Sequence, residues 1–209
     1  MIKTSITIKA FTVLVLIVSI TPSFAQNQKD SSANERQKEL IELSKTNKNH
    51  QLLMSLTGNW SFTGAHFSSD TPGTKTVDVM GTITRKAIMD GRYFIVETTG
   101  GKIKMPWADG KEVNYKDMYI EGYDNDKKKF FRSSIGNHWK TGIVVMEGSY
   151  DSATKTFTYE LEMERGGEKR KFHDLIKILD ADHYLFMRYY IKGDQEIKVT
   201  ETKYTRSGK

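Results

Sequence analysis

From Gly58 onward, apolar and polar positions alternate along the chain. Trp60, Phe62, Gly64 and His66 stand at every second residue between polar neighbours, and Phe157, Tyr159, Leu161 and Met163 alternate with Thr158, Glu160, Glu162 and Glu164. Leu185, Met187, Tyr189 and Ile191 repeat the pattern near the C-terminus. A period of two gives a β-strand with one buried and one wet face. Turn-forming runs separate these segments at Tyr123 to Lys127, Tyr150 to Thr154, Gly166 with Gly167, Leu179 to Asp182, and Lys192 to Asp194. No helical pattern lies between them. The reading is all-β, with about ten strands in an up-and-down meander that closes into an antiparallel barrel and leaves no free edge. The longest irregular connection, Gly100 to Asn114, holds Pro106, Trp107 and Gly110 and reads as a lid over the open end.

Before Gly58 the pattern is helical. Ser32 and Glu35 form a capping-box spacing, which predicts a helix over Ser32 to Leu43 with Leu40, Ile41 and Leu43 as a modest apolar face. Asn47 to Asn49 interrupts, and a second short helix is expected from His50 to Leu56. There Leu52, Leu53 and Leu56 share a face suited to plug one end of the barrel.

The first residues have a different character. Lys3 and Lys9 precede and flank an apolar run from Ala10 to Ile20, Pro22 ends it, and the small residues Ser23 and Ala25 stand before Gln26. That layout predicts a secretory signal peptide cleaved after Ala25, with an apolar core too short for a membrane anchor. The expected organisation is a leader over 1–25, a polar lead-in and helix over 26–49, and a barrel domain over 50–209. The protein would be exported, to the periplasm or beyond, with no integral membrane span once the leader is cleaved.

Composition narrows the chemistry. Removing residues 1–25 from the 209 leaves 184, enough for one domain with a substantial core. It also takes away Lys3 and Lys9, leaving 30 basic residues against 26 acidic ones, well interspersed. The longest basic run, Lys127 to Lys129, lies beside Asp124 and Asp126, so the clustered stripe of a nucleic-acid surface is missing. Cysteine is absent, which excludes thiol catalysis, Cys-ligated zinc and iron–sulfur clusters and leaves stability to packing.

Five segments, in order, resemble a bacterial family known as domain of unknown function 1579: His50 to Trp60, Asp90 to Phe94, Glu121 to Asp124, Met146 to Asp151 and Glu201 to Arg206. The resemblance implies a calycin-like barrel, related in shape to lipocalins and fatty-acid-binding proteins, and brings no catalytic residues with it. The tight turn at Gly166 and Gly167 departs from the longer, Pro-containing connection expected there. Gly58 and Trp60 further resemble the lipocalin opening, which implies that Trp60 closes the barrel floor under a late arginine. Arg206 is the natural partner and Arg188 the runner-up; a guanidinium over an indole face is attractive through the ring quadrupole.

Charged residues that alternation turns inward are the functional clue. Glu201 follows Ile197 and Val199, and Arg92 shares a parity with Phe94 and Val96. A buried charge requires a partner, ordered water or a polar ligand head. The expected lining therefore consists of Phe62, Phe94, Tyr123 and Tyr189 as aromatic walls with Arg92 and Glu201 at the polar end. Asp117 and Glu121 fall opposite Asp124 and so do not join it in an acid–base cluster. Among the histidines, His183 shares a face with Leu185 and Met187. A lone histidine there is more often a core residue than an axial haem ligand, and no metal spacing joins any pair. The residues point first to a binding protein for a small, mainly apolar ligand with a polar head, without a cofactor. Two alternatives remain: an isomerase-, cyclase- or hydrolase-type enzyme using an inward carboxylate such as Glu201, and a solid barrel acting as a protein-interaction module.

Overall fold

The structure, a computed structural model, describes residues 23–104, 108–137, 142–165 and 167–208. The chain forms two compact units, 1–42 and 43–209. Helix α1, Ser23–Leu43, begins nine residues ahead of the expected cap at Ser32 and exposes Leu40 and Ile41. The leader expected over residues 1–25 lies almost wholly outside the described residues. No helix among the described residues is long and apolar enough to cross a membrane.

The second unit opens with helix α2, Lys48–Ser55. Its cap is Asn47, whose side chain accepts from the Asn49 N–H at 2.9 Å, while the Asn47 N–H donates to His50 Nδ1 at 3.1 Å. The asparagines that break the first helix thus start the second. Asn125, in a distant turn, donates to the Leu43 and Lys45 carbonyls and accepts from Asn47, which ties residues 43–47 to the β4–β5 end of the same unit. Leu53 and Leu56 are buried and Leu52 is half-buried, as a plug face requires.

Ten strands follow: β1 Gly58–Phe67, β2 Lys75–Ile88, β3 Tyr93–Lys104, β4 Glu112–Asp124 and β5 Lys129–Gly136, then β6 Val144–Asp151, β7 Thr156–Arg165, β8 Glu168–Ile178, β9 His183–Lys192 and β10 Gln195–Arg206. Each pairs antiparallel with its sequence neighbours, and β1 pairs with β10 to close the barrel. The expected lid is shorter than the composition suggested. A bulge between Thr99 and Lys102 carries β3 on to Lys104, and β4 starts at Glu112. Pro106 and Trp107 lie outside the described residues.

One end of the barrel is a packed floor beneath α2. Trp60 is buried, donates from its indole N–H to the Leu56 carbonyl at 3.1 Å, and meets Tyr184 edge-on at 4.8 Å. The Arg206 guanidinium lies 4.2 Å from the Trp60 ring and donates to the Ser55, Thr57 and Ala181 carbonyls, with Asp182 alongside at 3.2 Å. The expected Trp60–Arg206 closure therefore ties α2, the β8–β9 turn and the last strand together. Gly58 permits it: its φ of 121° suits glycine alone, and a Cβ there would meet Arg206 Nη1 at 2.8 Å. Tyr123, Phe130, Phe157 and Tyr150 complete the floor as a chain of ring contacts between 4.7 and 5.0 Å.

Candidate functional site: an ionic cluster inside the barrel

Above the floor the inner wall is charged. Glu121 stands two residues from Tyr123 on β4, Arg132 two from Phe130 on β5, and Arg85 faces them from β2. All three are buried, and Glu121 is 1% exposed. Glu121 lies between the arginines: Arg132 Nε is 2.8 Å from Oε1 and Arg85 Nη2 is 3.2 Å from Oε2. The Arg132 guanidinium is sandwiched near the rings of Tyr119, at 4.3 Å, and Tyr159, at 5.3 Å. The geometry leaves buried polar atoms over, the acceptor Glu121 Oε2 among them. Arg85 Nε and Nη1 and Arg132 Nη1 have no hydrogen-bond partner among the described residues, and Arg132 Nε, though close to Glu121, is misaligned for a hydrogen bond.

Electrostatics hold Arg132 ionised. Burial pulls the Arg132 pKa down, but Glu121 and the neighbouring Tyr119, Tyr159 and Asp174 outweigh it and raise it. The same neighbours act on Tyr159: burial and Glu121 raise its pKa, opposed by Arg132 and Arg85. Tyr204 is pushed up to about 12, chiefly by burial, and Tyr184 is raised well above the ordinary phenol value for the same cause. These phenols stay neutral and able to donate.

Two more polar groups lie nearer the mouth. Arg188 holds Asp174 across β8 and β9 in a two-armed ion pair, 2.6 Å at each contact, with Phe172 and Phe186 5.9 and 5.8 Å from the guanidinium. Asp117 accepts from the Tyr115 and Tyr119 hydroxyls, each at 2.9 Å, and Tyr115 is shifted upward mainly by burial. At the mouth, His66 bonds Thr200 Oγ1 at 2.9 Å. Its pKa is lowered by burial and by Arg188, against the Val199 backbone, although part of the residue still reaches solvent. A side chain crowded by neighbours yet open to water fits the mouth of a barrel.

The structure sorts the expected site residues into two groups. Phe62, Phe94 and Tyr123 face inward: Phe62 and Phe94 are buried, and Tyr123 is half-buried against Phe130. A Cβ on Gly81 would lie 2.7 Å from the Phe62 ring, so glycine makes the room for it. Glu201, Arg92 and Tyr189 do not join them. The register of β10 slips between Lys198 and Thr200, which turns Thr200 and Thr202 inward, and Glu201, half-exposed, pairs with Lys198 at 2.6 Å. Arg92 precedes β3 at the end of a tight turn, Met89–Gly91, in which all three residues have positive φ. Its guanidinium donates to the Ser44 carbonyl beside α2 instead of turning toward the inner wall. On β9 the inward residues are Tyr184, Phe186, Arg188 and Tyr190. Leu185, Met187 and Tyr189 stand on the other face, where the Tyr189 hydroxyl contacts Met187 sulfur. His183, on that same outer face, bonds Asp180 at 2.9 Å.

The residues that alternation alone missed, Arg85, Glu121, Arg132, Asp174 and Arg188, did carry a signal. Each shares its parity with aromatic or aliphatic neighbours: Glu121 with Tyr119 and Tyr123, Arg132 with Phe130, and Arg188 with Phe186 and Tyr190.

The family model described as "Protein of unknown function (DUF1579)" matches residues 45–206. Among solved structures, the S-type phycobiliprotein lyase CPES from Guillardia theta is similar to this chain at a TM-score of 0.48 and 10% identity, over 82% of this chain and 98% of that one. No curated protein matches the sequence.

Proposed function

The chain belongs to the DUF1579 family, which assigns it no activity, and from its own geometry we propose that it is an exported binding protein whose barrel takes a small, mainly apolar ligand with one polar end. The observation that carries this is the set of buried arginine donors left without partners on the inner wall, above an aromatic floor. Desolvating such groups unpaired is costly, and a core built only for packing gains nothing from them, because hydrophobic residues of like volume serve as well or better. A ligand head that accepts those donors recovers that cost, and Phe62, Phe94, Leu161 and Met146 offer apolar wall beside it.

The polar end thus falls to Arg85 and Arg132, in place of the Arg92 and Glu201 that alternation suggested. The enzyme alternative built on Glu201 loses its residue as well, because that carboxylate pairs with Lys198 outside the lumen. Export rests on the charge and apolar pattern of residues 1–25. N-terminal sequencing of protein recovered from outside the cytoplasm is expected to begin at Gln26, and a start at Met1 would refute that part.

The binding reading is tested by titrating an environment-sensitive apolar dye into the protein and displacing it with decyl-chain amphiphiles. Saturable binding to one site, weakened by Met146→Trp filling of the lumen, is expected. Dye binding that does not saturate, or that survives the filled lumen unchanged, contradicts it.

A further inference from the structure

The outer wall of the barrel is apolar over one sector. On β3 to β6 the outward residues are apolar, whereas β2 turns Thr82, Thr84 and Lys86 outward and β7 turns Thr158, Glu160 and Glu162. Strand pairing sets the residues of this sector in rows. The middle row runs Ile95, Ile120, Ser133 and Val145 across β3, β4, β5 and β6. Toward the floor the row is Tyr93, Gly122 and Phe131, and toward the mouth it is Met118 and Ile135, with Ile143 just before β6. Ile120 is 40% exposed and Val145 64%, and Ile135 and Ile143 are exposed as well. None of the residues in these rows is charged. Glu97, beside Lys86, and Glu147, beside Lys127, stand at opposite corners.

A sheet face open to water is ordinarily polar, and single apolar residues on it need no explanation, but a contiguous set does. With strands about 4.8 Å apart and about 3.4 Å per residue, the sector covers roughly 400 Å². A bare apolar patch of that size marks a contact surface. Two such faces remove about 800 Å², and a polar rim brings the total to about 1,000 Å², the lower limit for a specific association. The surface is also fixed in shape. The Phe131 and Tyr93 rings lie 6.0 Å apart, and the Phe131 ring fills the space over Gly122, 2.5 Å from where a Cβ would stand.

The rows fit a second copy of this chain. An isologous contact needs a projection and a recess on one surface, placed so that each meets the other. Ser133 is such a recess, a small side chain between Ile120 and Val145. A two-fold axis in the contact plane, parallel to the strands and midway between β4 and β5, sets Ile120 of each copy on Ser133 of the other. The same axis sets Ile95 on Val145 and Met118 on Ile135, and it opposes the corner acid Glu147 to Tyr93 rather than to another acid. Aligned sheets pack face to face in this way.

We propose that the chain forms a two-fold dimer through the outer wall of β3 to β6, with Ile120 of each copy seated on Ser133 of the other. The contact lies outside the lumen and is independent of whether the barrel holds a guest.

Sedimentation velocity of the purified protein between about 1 and 200 µM is expected to pass from the monomer to the dimer value, as an interface at the small end of the range implies. Val145→Glu, at a position already open to water, and Ile95→Lys are each expected to weaken association at least about tenfold by burying an unpaired charge. The urea midpoint of Val145→Glu is expected to stay at that of the parent, so that this variant decides the placement by itself. Because the axis opposes Ile95 to Val145, mixing the two variants is expected to restore a dimer containing one of each. A chain that stays monomeric through the range overturns self-association and leaves the face to a different protein. A Val145→Glu chain that associates as the parent does overturns the placement on this wall. Two folded, monomeric variants that stay apart when mixed overturn the two-fold register.

Discussion

Glu121 and Glu201 carry the same side chain on strands of one barrel and live in opposite environments. Glu121 is fully buried between two arginines, and Glu201 is half-exposed beside one lysine. Removing charge from the first strands two guanidiniums without their anion, so Glu121→Gln is expected to cost about 3–5 kcal/mol, the range for breaking a buried ionic group. Glu201→Gln removes a surface pair and is expected to change stability by less than about 0.5 kcal/mol. Urea denaturation of both variants checks the contrast, and similar losses from the two would contradict the placement of the cluster. At the floor, Trp60→Ala removes a buried indole, its bond to Leu56 and its arginine stack. It is expected to cost about 3–5 kcal/mol in the same assay, and a loss well under 1 kcal/mol would contradict the closure described.

Elements differ in how openly the sequence announces them. The strands were legible because turn residues punctuate a period-two pattern, and the plug helix because Leu53 and Leu56 recur on one face beside a glycine stop. The phase of individual strands was harder to read. On β9 both parities are apolar, with Leu185, Met187 and Ile191 on one and Tyr184, Phe186 and Tyr190 on the other, so alternation has no sign until β8 sets the register. On β10 a slip beyond Lys198 reverses the parity, and on β3 the left-handed turn at Met89–Gly91 removes Arg92 from the strand it appeared to begin. Fold class survives such local errors because it depends on how many strands there are and how they connect. Site residues do not, because a shift of one residue exchanges inside for outside. Local stability also divides by element. Helix α1 exposes its side chains from residue 33 to 42, so its helical hydrogen bonds have little buried surface to protect them. Amide hydrogen exchange is expected to be fast across residues 33–42 and slow in the central residues of β1, β4 and β9. Equal protection would contradict this ordering.

For the whole molecule, pH probes the interior. His66 has its pKa depressed below the ordinary 6.5 by burial and by Arg188, and His50 likewise by burial and Arg92. Between 6.5 and these lower folded values the unfolded chain binds more protons than the folded one, so acidification favours unfolding. The stabilisation is complete above the unfolded value and falls as the pH drops from there toward the folded values. Asp151 and Asp180, held below 3.8 by their turn hydrogen bonds, act in a separate and more acidic window. Urea midpoints are therefore expected to decline from pH 7 to pH 5, and the decline to shrink in His66→Gln. A midpoint that is flat or rising over that interval would contradict the lowered pKa values of these two rings.

On the function proposed, a small guest completes the charged interior of the barrel. Native mass spectrometry of the protein purified without detergent from the cells that make it tests this most directly. The expected spectrum contains, besides the bare chain, a species heavier by one small organic molecule of a few hundred daltons, released on activation and absent from Arg85→Met. A single bare mass under the gentlest conditions, unchanged after incubation with a decyl-chain amphiphile, would contradict it.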